Sequence, residues 1–182
     1  SVDSRLRQML EVEKCVAQIQ AQMGLIPKKA AAAILRKAQF KRERVEELEK
    51  TTKHDVIAFV TAVAEQVGPL GRYLHFGMTS SDVLDTALSL QIREGFDHLL
   101  IGIKALDKEM LKLIKRHKMT LCAGRTHGMH AEPTSFGFKM LGFLMELRRN
   151  KERLIMAREQ MLIGKMSGAV GTYSTLSREF EL

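Results

Sequence analysis

Four of the six histidines lie beside glycines, prolines and hydroxyl side chains, at or near junctions between apolar helical patterns. These four are His54, His75, His127 and His130. A single histidine at such a junction is more often a cap or a satisfied packing residue than a catalyst. Four of them in three polar junctions favour a functional site, because binding and catalytic residues concentrate in loops held by a rigid scaffold.

The densest of these junctions is GRTHGMHAEPTSFG, residues 124–137. His127 and His130 could bind a metal, but the spacing lies in a glycine-containing segment, no cysteine accompanies it, and only Glu132 is near. The chain has no G-x-S-x-G elbow for a serine nucleophile and no phosphate-binding loop ending in Lys-Ser/Thr. Acid and base catalysis by histidine remains, with anions held by hydroxyls, and neither a metal nor another cofactor is predicted.

The stretch TSSD, residues 79–82, fits the binding half of that chemistry. Thr79, Ser80 and Ser81 place three hydroxyls at a predicted helix start, where free backbone amides and the helix dipole attract an anion. The simpler interpretation is that Thr79 and Asp82 form a capping box, which needs only one hydroxyl. Thr126 similarly puts a hydroxyl beside a possible proton donor, His127.

Helices must position these residues, because apolar side chains recur at intervals of three and four through most of the chain. The predicted helices run over about 4–23, 27–40, 56–67, 79–117 and 134–163, and SREFEL at the end is predicted to begin another. The fourth would be on the order of 50 Å long, so it needs partners along its length. The fold class is therefore predicted as all-α: an N-terminal helical domain over 1–77, and over 78–182 the first long helices of a central bundle.

The net charge of +8 comes mainly from KKAAAAILRKAQFKRER (28–44) and RRNKER (148–153). Glutamates and helix formers alternate with the basic residues, and the two runs contain a single aromatic, Phe40. The runs are therefore interpreted as solvated helix faces, and no nucleic-acid partner is predicted. A basic site for a small polyanion is the alternative. No apolar run reaches the roughly 18 residues of a membrane span, and the N-terminus lacks the apolar core of a signal peptide. A cytoplasmic location without membrane contact follows as a prediction. Cys15 and Cys122 have no paired spacing and are predicted to be small buried side chains.

Four motifs together resemble the fumarase/aspartase superfamily and, within it, the bacterial adenylosuccinate lyase family. They are TKHDVIAFV (52–60), HFGMTSSDVLDTA (75–87), GRTHGMHAEPTSFGFK (124–139) and GKMSGAVGTY (164–173). Fumarases resemble S-S-N-D and T-H-L-Q at the second and third motifs, and argininosuccinate lyases resemble S-R-N-D at the second. TSSD and THGMHAE therefore match the adenylosuccinate lyases of purine synthesis rather than these two families.

The resemblance implies elimination of fumarate from adenylosuccinate, which leaves AMP, and from the succinylated aminoimidazole carboxamide ribotide. It implies that His127 is the general acid that protonates the departing nitrogen, and that Thr126 holds a carboxylate of the succinyl group. Thr79 and Ser80 would bind the fumaryl portion at the helix start.

The same resemblance implies that Lys53, His54 and Asp55 contact the nucleotide part and orient the acid, with His54 supporting catalysis. His75 is implied to lie in the substrate site.

The stretch 124–137 is expected to turn the chain between the two long helices through Gly124, Gly128 and Pro133. Three further residues are expected to shape that turn: His130, Glu132 and Ser135.

Two features of the family are missing from this sequence. The family's general base is a serine on an S-S-x-M-P-x-K-x-N loop, and its opening Arg-Tyr pair holds the phosphate; neither is present. The chain is thus expected to cover the N-terminal domain and part of the central bundle, and to be inactive alone. The resemblance also implies a homotetramer in which each site is shared between subunits. The alternatives are a related lyase with another succinyl substrate, or an inactive helical oligomerisation fragment that binds RNA nonspecifically.

Overall fold

The computed structural model describes residues 1–174, 176, 177 and 179. The elements are α1 (Val2–Gln22), α2 (Lys28–Lys37), α3 (Arg42–Thr52), α4 (Asp55–Val67), a 3-10 helix (Pro69–Tyr73), α5 (Ser80–Arg116), β1 (Leu121–Thr126), β2 (Met129–Ser135) and α6 (Phe136–Gln160). The predicted all-α class is confirmed, with one two-stranded hairpin added to it. Most of the further helix predicted at SREFEL lies outside the described residues.

The chain divides into two compact units. The first comprises residues 1–91 and the chain from residue 163 onward, and the second comprises residues 92–162. Helix α5 contributes residues to both units. The predicted division into domains 1–77 and 78–182 concerns the whole protein and stays a prediction.

The core of the first unit forms where α1, α2 and α4 turn their apolar faces toward one another. Met9, Ile34 and Phe59 are each at most 1% exposed, and the Phe59 ring lies 6.1 Å from that of Phe40 between centroids. Burying a side chain of this size contributes about 2 to 3 kcal/mol. The 3-10 helix closes directly on α4, since a Cβ at Gly71 would lie 2.6 Å from the Ala64 carbonyl oxygen.

The segment between the two long helices is a β-hairpin rather than the plain turn that the sequence predicted. Leu121 pairs with Ser135 and Thr126 with Met129, and the ladder is irregular between Ala123 and Arg125. At that irregularity a Cβ on Gly124 would lie 2.6 Å from the Glu132 carbonyl oxygen. Gly124 therefore permits a close approach of the strands.

Pro133 belongs to β2, where it pairs with Ala123, so it does not turn the chain as predicted. The predicted second long helix begins two residues later than expected, at Phe136. Ser135 caps it, with its hydroxyl accepting from the Phe138 N–H at 3.1 Å. Ser135 therefore connects the end of β2 to the start of α6.

Large apolar side chains of the second unit remain uncovered. Leu99 and Ile101 on α5 are 57% and 68% exposed, and Phe138 and Met156 on α6 are 69% and 59% exposed. Leu144 is by contrast fully buried. Faces of this kind mark a surface that another chain segment or protein covers, as the length of α5 indicated.

Acidic partners accompany several residues of the two basic runs. Arg44 bridges Glu65 at 2.7 Å and Glu47 at 2.8 Å, and Arg148 contacts Asp107 at 2.6 Å. These pairs are those of a solvated helix face, in agreement with the interpretation of the charge pattern.

Within the described part of the chain, no helix combines the length and apolarity that a membrane crossing requires.

Cys15 is exposed and Cys122 is half-buried, so the prediction that both are buried is wrong. The apolar residues that flank Cys15 in α1 face the core, so Cys15 itself lies on the solvent-exposed side of the helix.

Candidate functional site

The KHD motif is the joint between α3 and α4. Lys53 adopts a left-handed conformation (φ 53°, ψ 28°) that ends α3, and its N–H donates to the Glu49 carbonyl at 2.9 Å. His54 is extended and caps α4, with Nδ1 accepting from the Ile57 N–H at 3.4 Å. Asp55 is the first residue of α4 and pairs with Arg5 of α1. The motif thus leaves Lys53 exposed and holds His54 and Asp55 half-buried.

His54 links this joint to the start of α5. Its Nε2 lies 3.4 Å from the hydroxyl of Ser80. Since Nδ1 accepts a backbone N–H, Nε2 carries the ring proton in the neutral ring and donates to that hydroxyl. Asp55 Oδ1 lies 3.6 Å from the same Nδ1. The His54 ring therefore connects the first turn of α4 with the start of α5.

Asp82 organises the TSSD motif from a fully buried position. Its Oδ2 accepts from the Thr79 N–H at 2.9 Å, which is the carboxylate half of the predicted capping box. Its Oδ1 accepts from Lys165 Nζ at 2.7 Å and from the main-chain N–H of Ser167 and Gly168 at 3.1 and 3.2 Å. One carboxylate thus fixes both the start of α5 and the glycine-rich segment that begins at Gly164.

The pKa of Asp82 lies below its ordinary value. Burial raises the pKa, but the hydrogen bond and positive charge of Lys165 and the N–H groups of Thr79 and Ser167 lower it by more. Asp82 is consequently ionised at neutral pH although its side chain has no access to water.

Lys165 belongs to the fourth sequence motif (164–173), but the sequence analysis assigned no role to it. Besides Asp82 it donates to the Ser81 hydroxyl at 3.3 Å and the Gly168 carbonyl at 3.1 Å, so its three N–H bonds are all used. The Thr86 hydroxyl donates to the Lys165 carbonyl at 3.0 Å and accepts from its N–H at 2.9 Å. The signal available in the sequence was the motif GKMSG itself, which has a lysine between two glycines.

His75 is held by a buried carboxylate of α1. Its main-chain N–H donates to Glu13 Oε2 at 2.9 Å, and its Nδ1 lies 2.7 Å from Glu13 Oε1. The backbone of His75 is left-handed (φ 59°), a conformation uncommon outside glycine. Gln20, seven residues after Glu13 on the same face, donates to the Phe76 carbonyl at 2.6 Å. Sequence reasoning missed Glu13; its signal was a pair of polar residues on the apolar face of α1.

Six of the eight predicted site residues therefore lie in the first unit, at the KHD joint and around the start of α5. They are Lys53, His54, Asp55, His75, Thr79 and Ser80. Among the described residues, His75 Nε2 and the Thr79 hydroxyl have no hydrogen-bond partner, and both residues are half-buried. These groups and the exposed Lys53 are the ones available to a ligand.

The other two predicted residues, Thr126 and His127, stand at the tip of the hairpin in the second unit. His127 and Gly128 are its two loop residues, and their φ values of 52° and 73° are those of a type I′ turn. Both Thr126 and His127 are exposed. His130 pairs with Arg125 in the ladder. The hairpin thus separates the two histidines, with one at the turn and the other in a strand.

A metal centre is not formed by these side chains. No group of three or more His, Cys, Asp or Glu ligands lies together in the described part of the chain. Charge at the site comes from Lys53, from the carboxylates that hold its other residues, and from Lys165 and Arg5, which pair with two of those carboxylates.

A family model described as "Lyase" matches the chain over residues 1–182. The chain is 50% identical over 181 residues to adenylosuccinate lyase of Aquifex aeolicus (strain VF5), an alignment that covers 98% of this chain and 41% of the relative. It is 46% identical over 177 residues to adenylosuccinate lyase of Synechocystis sp., covering 97% and 41%. The chain spans about two fifths of the length of the curated relatives it matches.

Solved structures of other enzymes share the fold. Fumarate lyase from Mesorhizobium sp. BNC1 matches with a TM-score of 0.89 and 33% identity over 98% of this chain and 43% of that one. A 3-carboxy-cis,cis-muconate lactonizing enzyme from Pseudomonas putida matches with a TM-score of 0.84 and 31% identity over 94% and 40%. The architecture is therefore common to enzymes whose names specify different reactions.

Proposed function

This chain belongs to the lyase family whose model matches it throughout, and we propose that the whole protein is an adenylosuccinate lyase. It would eliminate fumarate from adenylosuccinate to leave AMP, and likewise from the succinylated aminoimidazole carboxamide ribotide. The observation that carries the proposal is 50% identity to a protein of that name over 98% of this chain. Three solved structures of the same fold that carry other names are 27 to 33% identical to this chain.

The reaction breaks a carbon–nitrogen bond and needs a proton removed from the carbon beside a carboxylate. The resulting dianion requires hydrogen-bond donors and positive charge, while an acid delivers a proton to the departing nitrogen. We assign the acid to His127, which an exposed two-residue turn presents at the tip of the hairpin. Thr126, the adjacent strand residue, would hold a carboxylate of the succinyl group.

The start of α5 suits the fumaryl portion of the substrate. Thr79 and Ser80 stand at the N-terminal end of a 37-residue helix, where the dipole favours an anion. Asp82 holds the Thr79 backbone and His54 contacts the Ser80 hydroxyl, so both residues are set in place before a ligand arrives. In the same proposal His54 supports catalysis, and Lys53, Asp55 and His75 contact the substrate.

The remaining parts of the proposal concern the whole protein. The general base would be a serine on a loop outside this sequence, so we expect the 182-residue chain to be inactive by itself. The exposed apolar faces of α5 and α6 support assembly into a homotetramer with sites shared between subunits. A cytoplasmic location stays a prediction.

The test is the turnover of the purified whole protein with three succinylated substrates: adenylosuccinate, the imidazole carboxamide ribotide and argininosuccinate. Chromatography of fumarate and of the second product would show cleavage of the first two and none of the third. Cleavage of argininosuccinate alone would show that the protein is a related lyase with a different succinyl substrate. Absence of fumarate from all three would contradict the proposed function.

A further inference from the structure

The carboxylate of Glu13 is buried, and within the described part of the chain it accepts hydrogen bonds from one residue, His75. Glu13 is 1% exposed, and each of its oxygens contacts a different group of His75. Burying a carboxylate is costly unless its oxygens are hydrogen-bonded. Here the two bonds reach from α1 to a residue 62 positions later, immediately before the TSSD helix.

The two bonds have separable effects. The bond to the main-chain N–H fixes the left-handed backbone of His75, and Gln20 secures the next residue through the Phe76 carbonyl. Backbone anchoring is therefore provided at two points along α1. The bond to Nδ1 instead acts on the imidazole ring, which neither of the two backbone anchors contacts.

The direction of the ring bond follows from the donors present. The main-chain N–H of His75 can only donate, so Glu13 Oε2 accepts. An ionised Glu13 has no proton to give, so Oε1 also accepts and His75 Nδ1 carries the hydrogen. In the neutral ring Nε2 then holds a lone pair, and among the described residues it has no partner.

We propose that Glu13 is a positioning residue for His75, which fixes the ring's orientation and its Nδ1–H tautomer so that Nε2 is the nitrogen offered to substrate. A carboxylate that orients a histidine by accepting from Nδ1–H has the same effect in hydrolase triads. The inference rests on the proposed function, because that function puts His75 in the substrate site.

Glu13→Gln separates this role from a structural one. Glutamine has the same size; its carbonyl can still accept the His75 N–H, and its amide can still bond Nδ1. The amide, however, donates where the carboxylate accepted, so the ring hydrogen moves to Nε2. The substitution therefore keeps the packing and both hydrogen bonds, but it makes Nε2 a hydrogen-bond donor instead of an acceptor.

The experiment compares the whole protein with Glu13→Gln, His75→Gln, the double variant and a control, Gln20→Met. The control removes the other α1 contact to the same segment without touching the ring. Thermal unfolding, kcat and KM for adenylosuccinate, and ¹⁵N NMR of the histidine ring would be measured for each. The His75 ring signal is identified by its loss in His75→Gln.

We expect Glu13→Gln to fold with a melting temperature close to that of the unmodified protein, and to lose roughly 10- to 100-fold in kcat/KM. The double variant should be no worse than His75→Gln alone, since the two residues act as one unit. Gln20→Met should lower the melting temperature and leave kcat/KM within about twofold. Unchanged kcat/KM in Glu13→Gln, or additive losses in the double variant, would overturn the proposal.

The NMR measurement is independent of catalysis. The Nδ1–H tautomer in the unmodified protein and the Nε2–H tautomer in Glu13→Gln support the ring-setting role, even if adenylosuccinate proves not to be the substrate. The same tautomer in both proteins counts against that role, whatever the protein cleaves.

Discussion

In the first unit, each group of polar residues that the sequence predicted contacts a carboxylate side chain. Glu13 holds His75, Asp82 holds the backbone of Thr79, and Asp55 lies beside His54. The sequence predicted the histidines and hydroxyls because they cluster at junctions. It did not predict Glu13, whose partner is 62 residues away, or Lys165, which lies 83 residues after Asp82. Spacing along the chain carries no information about contacts that form only in the folded molecule.

Replacing His127 with Gln in the whole protein tests the assignment of the general acid. Turnover of adenylosuccinate should fall by about 10² to 10⁴, because a glutamine cannot deliver the proton to the departing nitrogen. His130→Gln is the matched control, since His130 is also exposed but lies in the β2 ladder. It should retain turnover within a fewfold. Equal losses in both variants would mean that the hairpin, and not the acid, had been disturbed.

Replacing Asp82 with Asn should destabilise the protein at neutral pH by on the order of 3 kcal/mol, because Lys165 loses the anion that compensates it. The folded pKa of Asp82 is depressed, so its contribution is complete above the unfolded value of about 3.9 and is lost as the pH falls through the folded pKa. The two proteins should therefore differ most above about pH 5 and converge in acid. Urea unfolding between pH 3 and pH 7 would measure this difference, and a gap that stays constant with pH would exclude the linkage.

At the scale of elements, five of the six α-helices in the described part of the chain were predicted, whereas α3 and the hairpin were not. Helix α3 has a single buried residue, Val45, so no apolar period marks it in the sequence. Helix α5 was predicted from Thr79 to about His117 and runs from Ser80 to Arg116, because a long apolar period and a capping pair mark its course. The hairpin was interpreted as a turn because its strands have few buried side chains and no alternating apolar pattern. The available signal was the loop pair His127–Gly128, since a two-residue hairpin needs positive φ at both positions.

Two glycine replacements separate backbone strain from packing. Gly128→Ala should destabilise by about 1 kcal/mol, because φ is 73° and a Cβ there meets no atom within 4 Å, so strain is the only cost. Gly142→Ala, inside α6 and also in open space, should stabilise by up to about 1 kcal/mol through helix propensity. Amide hydrogen exchange across the hairpin and α6 would report both changes. The same sign in both variants would contradict this account of the turn.

At the scale of the whole molecule, the uncovered faces of α5 and α6 support the proposed assembly. Leu99 is 57% exposed, so Leu99→Lys should cost the isolated chain little stability. If copies of the protein cover this face, the buried lysine should break the assembly, lowering the sedimentation coefficient and the turnover together. Leu25→Lys, at a 44% exposed position in the connection after α1, is the control and should leave both unchanged. An unaltered sedimentation coefficient for Leu99→Lys would place the subunit contacts elsewhere, and the apolar face of α5 would then need another segment of the same chain to cover it.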